Sequence, residues 1–399
     1  MKQPFLRAVP LLNKIEQAGF EAYFVGGSVR DFLLGREISD VDIATSATPL
    51  EIKGIFSRTI DVGIEHGTVI VLFEGDSYEI TTFRSESEYV NYRRPKDVEF
   101  ISSLKGDLER RDFTMNAIAM DKSGNIIDPF NGKQAIQEKV IKTVGVPEER
   151  FNEDALRMMR AVRFVSQLSF EIEHSTFTSL VKYGYLLEKI SIERITVEFE
   201  KLLSGNDRNE GLRQLTESGL YQFLPGFRTH KDQLERLSSL NISYLQVEEI
   251  WIALLHLFNR REKEADSFLR EWKLPIKRIH LIQKGLAFLE KRLVQDWTVE
   301  MLYEAGLEIT LMVEKIYHIF TRNSGKERLA KLENSYLALP IKNRNDLVVS
   351  GSDLMNWYHR EGGPWVKEKL SLIESAVLNK LVKNEKETIR EWLLRCNQN

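Results

Sequence analysis

Asp40 and Asp42 stand one residue apart in SDVDIATSATP, where VDIA otherwise reads as a buried strand. In an extended chain residues i and i+2 share a face. Val41 and Ile43 then face an apolar side, and two carboxylates stand together on the other, where like charges penalise each other. A divalent cation reverses that penalty. Mg²⁺ prefers carboxylate oxygens, keeps several waters and takes its remaining ligands from substrate phosphates. The bland alternative is an edge strand with both acids in water. Gly26-Gly27-Ser28, just upstream, falls at a strand-to-helix junction. Glycine there lets a ligand approach the backbone, and free amides at a helix start suit phosphate oxygens. Arg30, one turn on, can reach the same anion, with Asp31 orienting it or capping the helix. Glu79 in YEITTFR is the expected third carboxylate, since two metals need more oxygen ligands than one pair supplies; its alternative is an ordinary exposed glutamate.

The elements that must position these groups differ along the chain. Length, 399 residues, calls for two or more domains. In the first 140 or so, YFVGG, VDIAT, GTVIVLFEG and YEITTFR read as strands, with GDS as the hairpin turn between the last two. SVRDFLLG reads as a helix, the opening MKQPFLRAVPLLNKIEQAGF as an amphipathic helix rather than a leader, and IDPFNGK as a turn. Beyond about residue 148 apolar residues recur at three- and four-residue spacing, as in ITVEFEKLLSG, VEEIWIALLHLF and KETIREWLLRC. The expected fold is therefore α+β: a small mixed-sheet head followed by an all-α remainder. A single cysteine, Cys396, excludes an internal disulfide and a cysteine-built zinc site, and suits a reducing cytoplasm. No apolar run is long enough to span a bilayer. A net charge of −3 argues against indiscriminate polyanion binding and leaves room for local basic patches such as KLPIKRIHLIQKGLAFLEKRL.

GGSVRD, DVDIATSATP, EHGTV, TTFR, RRDFTMNA and EDALRMMRAVRF, in this order, resemble the motifs of class II tRNA nucleotidyltransferases, the CCA-adding enzymes, and of the related bacterial poly(A) polymerases. These belong to the polymerase-β-like nucleotidyltransferase superfamily. The resemblance implies a catalytic head over 1–140, a neck over 141–205 that recognises the base, a body over 206–290 and a tRNA-binding tail over 291–399. It implies a seahorse-shaped homodimer acting on tRNA with CTP and ATP. Asp40 and Asp42 would hold Mg²⁺, and two metals about 3.5–4 Å apart clamp the attacking and leaving oxygens. Gly27 and Arg30 match nucleotide-binding positions, Arg111 would add positive charge near the nucleotide, and Asp112 and Asn116 would hold local structure. SESEYVNYRRPKDVEFISS looks like the family's mobile loop, and His66 braces a turn.

FNEDALRMMRAVRF, residues 151–164, carries the choice of base. Its plain reading is a helix capped at Asn152, with Asp154, Arg157, Arg160 and Arg163 forming a charged stripe. Cytosine and adenine share an amino donor beside a bare ring nitrogen; uracil and guanine present the reverse. A carboxylate only accepts and a guanidinium only donates, so an Asp154/Arg157 pair fits C and A and mismatches U and G, at about 1–3 kcal/mol per bidentate contact. By resemblance Glu153, Asp154 and Arg157 match that motif, and Arg160 and Arg163 face phosphate or ribose. Arg194 and Glu198 read either as support for this helix or as an ordinary i,i+4 pair. The function read here is CCA addition to tRNA and repair of incomplete ends. A poly(A) polymerase, an enzyme adding only C-C or only A, and an RNA-binding protein with a dead site remain as alternatives.

Overall fold

The computed structural model describes residues 1–63, 67–86, 89–90, 94–95, 98–321 and 325–396. His66 lies outside them, as do parts of the expected loop at 85–103. The chain forms two compact units, Met1–Ser239 and Leu240–Asn399.

In the first unit, α1 (Phe5–Gln17) buries Phe5, Ala8, Leu11, Leu12 and Ile15. The chain continues through β1 (Ala22–Val25), α2 (Gly27–Leu33), β2 (Asp42–Thr45), α3 (Pro49–Ile55), β3 (Thr59–Gly63), β4 (Thr68–Phe73) and β5 (Asp76–Thr82). Thr48 and Glu51 form a capping box with Pro49 at the first turn, which fixes where α3 begins. β4 and β5 turn on Glu74-Gly75, with φ of 51° and 91°, and Phe73 opposes Asp76. The expected GDS turn is thus displaced by one residue, because a two-residue hairpin needs positive φ at both central positions.

β6 (Arg84–Glu86) pairs with β9 (Val98–Phe100), and β7 (Tyr89–Val90) with β8 (Arg94–Pro95), so the expected loop contains two short antiparallel ladders. After α4 (Leu104–Glu109) come β10 (Ala119–Met120) and β11 (Ile126–Ile127), which complete a seven-stranded sheet of order β11-β10-β1-β2-β5-β4-β3. β2 and β5 run parallel and the other neighbours antiparallel.

Successive partners Phe24, Ile43, Ile80 and Val69 make one row across four strands, and each is at most 1 % exposed. This row lies on the face under α1, where Phe5 meets Phe24 at 4.8 Å between ring centres. On the opposite face, Val25, Ala44 and Ala119 pack with Leu108 of α4 and with Val144. That cover lies over the β10–β1–β2 side.

The helical part of this unit follows: α5 (Gly132–Glu138), β12 (Val140–Ile141), α6 (Pro147–Glu153), α7 (Leu156–Leu168), β13 (Glu171–Ile172), α8 (His174–Tyr183), α9 (Ile192–Leu203), α10 (Arg208–Glu217) and α11 (Lys231–Ser239). The single helix expected over 151–164 is broken. Asp154 is extended (φ −136°, ψ 101°), and its Oδ1 accepts from the Leu156 amide at 3.1 Å. A short side chain that satisfies a nearby amide competes with the helical bond. Asn152 is not a cap; it lies inside α6 and donates to the Glu148 carbonyl. α7 packs on α9 and α10 where Gly205 and Gly211 admit Ser166, since a Cβ at either would strike it.

The second unit is helical: α12 (Val247–Leu257), α13 (Glu262–Glu271), α14 (Ile276–Val294), α15 (Val299–Thr321), α16 (Lys326–Leu337), α17 (Gly351–Tyr358), α18 (Pro364–Leu378) and α19 (Lys386–Cys396). Trp251 and Trp272 stack edge-on at 5.0 Å in one core, and Leu354, Ile373, Ile389 and Leu393 form another. Residue 290, the expected body–tail boundary, falls inside α14. Glu314 is wholly buried and accepts from Arg292 at 2.7 Å and from the Trp297 indole at 2.8 Å. Among the described residues no helix is long and apolar enough to cross a membrane.

Candidate active site

Sheet register brings two of the expected carboxylates side by side. Asp42 opens β2 and is the direct parallel partner of Glu79 on β5, so their side chains project from adjacent strands on one face. Asp40 lies before the strand and is exposed. Asp42 keeps access to solvent, yet burial, then Glu79, and more weakly Asp40, push its pKa up to about 6 against the opposing pull of Arg111 and Arg30. Its charged form lacks sufficient positive charge. Among the described residues no group of three or more His, Cys, Asp or Glu is gathered closely enough to cage a metal alone. Hard oxygen donors in a pair, without a closed cage, suit Mg²⁺, which draws its other ligands from water and phosphate.

β1 delivers Val25 opposite Asp42, and the chain then turns at Gly26. Its φ of 70° with ψ of −135° is a conformation reserved for glycine. A Cβ there would lie 2.9 Å from Arg111 Nη1 and 3.7 Å from Asp42 Oδ2. Turn, guanidinium and carboxylate therefore converge on one spot. Gly27 begins α2. Arg111 Nη2 donates to Asp107 at 3.1 Å, and its buried Nε has no hydrogen-bond partner. Burial alone would raise the Asp107 carboxyl, but Arg111 and Arg110 outweigh it and hold the pKa low. Sequence reasoning missed Asp107, although its i,i+3 and i,i+4 spacing to Arg110 and Arg111 was visible. It also placed the weight on Gly27, whereas Gly26 carries the backbone constraint.

Arg30 does not stand free. Its Nε and Nη2 each donate to Asp31 at 3.0 Å, and Nη1 donates to Asn116 at 2.7 Å. Asn116 donates to Asp112 at 3.0 Å, and Asp112 accepts from Arg160 Nε at 2.7 Å. Burial pushes Asp112 up, but Arg160 and the Asn116 hydrogen bond draw it down to about 2. The guanidiniums of Arg163, Arg30 and Arg160 lie 3.9, 5.2 and 5.6 Å from the centre of the Phe164 ring, close enough for its π face to attract them. Asp31, Arg30, Asn116, Asp112 and Arg160 thus form one polar chain from α2 to α7.

Asp154 and Arg157 are joined through the backbone, the Arg157 N–H donating to the Asp154 carbonyl at 3.0 Å, while their side chains bond to other partners. Asp154 Oδ2 accepts from Arg194 at 2.7 Å. Arg157 Nη1 donates to Glu153 at 2.6 Å and to the Arg150 carbonyl at 3.1 Å, and its Nη2 donates to the Arg110 carbonyl at 2.7 Å. Arg163 pairs with Glu198 at 2.6 Å. Burial lowers its pKa to about 10 despite that partner. The Arg194–Glu198 helix pair considered from spacing is therefore replaced by two longer-range pairs, Arg194 with Asp154 and Arg163 with Glu198.

A mixed sheet with paired acids beside a glycine turn, followed by helices, defines a nucleotidyltransferase head with a helical extension. Residues 22–142 match the Poly A polymerase head domain, 169–230 the "Probable RNA and SrmB- binding site of polymerase A", and 243–393 the second tRNA nucleotidyltransferase domain. Over its full length the chain is 48% identical across 399 residues to the CCA-adding enzyme of Geobacillus sp. (strain WCH70), covering 98% of it. It is likewise 48% identical across 400 residues to the Bacillus licheniformis CCA-adding enzyme, covering all of both. The Bacillus stearothermophilus CCA-adding enzyme, solved in complex with CTP, matches with a TM-score of 0.93 and 46% identity, over 100% of this chain and 98% of that one. The Thermotoga maritima CCA-adding enzyme, solved with tRNA, shares the fold at a TM-score of 0.67 and 22% identity, over 99% of this chain and 96% of that one. This chain belongs to the CCA-adding enzymes and is a tRNA nucleotidyltransferase.

Proposed function

We propose that the enzyme builds and repairs the 3′-terminal CCA of tRNA from CTP and ATP, releasing pyrophosphate. The convergence of Asp42, Glu79, Gly26 and Arg111 at one end of the sheet carries this reading. Asp40 and Asp42 would hold Mg²⁺, and Glu79 stands ready to share the charge. When bound, the metal supplies Lewis-acid activation of the 3′-hydroxyl and neutralisation of the leaving pyrophosphate. The protein's own part is positioning. Gly26 and Gly27 let the triphosphate approach the backbone, Arg111 brings its Nη1 to the Gly26 turn beside Asp42, and Arg30 is locked in place by Asp31 and Asn116.

Base choice rests on Asp154 and Arg157. The Asp154 carboxylate has about four acceptor sites, and the Leu156 amide and Arg194 use two. Arg157 spends three of its roughly five N–H donors on Glu153 and the carbonyls of Arg150 and Arg110. Acceptors and donors remain for the edge that C and A share, on side chains already rigid. Arg160 and Arg163 gather around Phe164 further along α7. The head (1–140), neck (141–205), body (206–290) and tail (291–399), the cytoplasmic setting and the homodimer complete the reading, with the helical regions gripping tRNA by shape and phosphate contacts.

The test offers purified enzyme, with Mg²⁺, a tRNA trimmed to its discriminator base and the four nucleotides singly and together. Growth by three nucleotides with C required first supports the proposal; long A-tails on any RNA identify a poly(A) polymerase instead. Asp154→Ala and Arg157→Ala variants should misincorporate U or G, and clean selection by both would refute the edge-reading role.

A further inference from the structure

The row that starts at the catalytic carboxylates does not stop there. Asp42, Glu79, Ile70 and Ile60 are successive partners across β2, β5, β4 and β3, so one face of the sheet runs from two acids straight onto apolar side chains. Leu72, two residues from Ile70, shares that face. The neighbouring row, Ile43, Ile80 and Val69, is buried under the helices on the opposite side. The helix α4 covers this face near β1, β2 and the end of β5, through Leu108, Ala44 and Phe83. At the β4–β3 side Ile60 is 47% and Leu72 42% exposed. Val62, beside the β3 bulge, is 61% exposed. An apolar patch on an edge strand is an aggregation hazard that proteins ordinarily blunt with charge. Here it adjoins the reacting groups.

We infer that Ile60, Ile70 and Leu72 form the platform on which the 3′-terminal nucleotides of the acceptor RNA lie, leading the 3′-hydroxyl to Asp42 and Glu79. This rests on the CCA-adding reading of the site. Two features commit the face to that occupant. Its length is right: three strand spacings of about 4.8 Å give about 14 Å, the rise of about four stacked nucleotides at about 3.4 Å each. That accommodates a three-nucleotide end and the nucleotide before it. Its chemistry is right as well. The acceptor end changes at every addition, so the surface beneath it must hold sugars and base faces without reading base edges. Aliphatic side chains make no hydrogen bonds and therefore cannot discriminate.

The proposal is tested on the full-length enzyme with Ile60→Glu, Leu72→Glu and the double variant, beside conservative Ile60→Val and Leu72→Ile. Three RNAs are offered, ending at the discriminator, after one C and after two. Wild-type extension of all three establishes the activity in the same assay; its failure would remove the CCA-adding reading itself. The Glu variants should raise KM for all three RNAs by about tenfold or more, with kcat, KM for CTP and ATP, and melting temperature near wild type, and the conservative variants should restore RNA KM. An unchanged RNA KM overturns the inference. So does a change confined to one RNA end, an altered C-versus-A choice, or a halved solution mass that would seat a second copy there.

Discussion

Asp42 and Asp112 are both crowded by protein, yet one is pushed up to about 6 and the other drawn down to about 2. Burial opposes ionisation in both. At Asp42 the next largest influence is another carboxylate, Glu79, across the strand pair. At Asp112 it is Arg160, with Asn116 donating as well. The sheet therefore presents negative charge short of compensation, whereas the α7 side is closed by its own arginines. The acid on the open end of the sheet lies beside a second carboxylate that its arginines do not fully offset; the buried acid is paired and acts as a strut.

Removing Asp42 should break the comparison most severely. Asp42→Ala is expected to lower kcat for CTP incorporation on the order of 10³-fold while leaving the melting temperature unchanged or higher, since a strained carboxylate is lost. Activity within tenfold of wild type would refute its catalytic place. Arg160→Ala attacks the opposite side, stranding the buried Asp112. Urea unfolding should show a loss of about 2–3 kcal/mol, the cost of breaking a buried pair discounted for the partial exposure of Arg160. Asp112→Asn with Arg160→Met should recover most of it, and a double variant no better than the single would assign the loss to packing instead.

The same pair makes a pH prediction. The Asp112 pKa is lowered from 3.8 to about 2 on folding, so the folded state binds fewer protons than the unfolded state between these values. Its contribution, about 2 kcal/mol, is present in full above the unfolded value and is lost as pH falls through about 2. Asp112→Asn should flatten the acid limb of stability measured from pH 5 to 2; an unchanged slope would place the acid sensitivity elsewhere. The smallest effect belongs to the solvent-exposed ion pair on the helix face of the sheet, Lys53 with Asp61 at 3.0 Å. Lys53→Ala should cost less than about 1 kcal/mol, and a larger loss would show that compensation at the surface counts as much as compensation inside.

Legibility followed distance along the chain. The glycine turn and the amphipathic α1 are local patterns that survive without knowledge of the fold, whereas the expected Asp-x-Asp alternation fails because β2 begins at Asp42 and leaves Asp40 before it. The break at Asp154 was less legible, because a charged stripe at three-residue spacing reads as one helix until the Leu156 amide is seen on the aspartate. The short strands β10 and β11 carry too few residues to display a period at all.

What the sequence by itself determined was an inventory with its local geometry: which segments carry the acids, where glycine turns the chain, and which helices have an apolar side. That Asp42 shares a sheet face with Glu79, while Asp40 stays outside the strand, was decided by register. Only the tertiary structure decided the partners. Arg30 meets Asn116 across 86 residues, Arg160 meets Asp112 across 48, and Arg194 meets Asp154 across 40. Spacing had offered Arg194 to Glu198, a helix-surface contact worth only about 0.2–0.5 kcal/mol. Burial overrides so small a preference, because a charge taken from water must find its counter-ion wherever packing brings one, and packing is set by the whole fold.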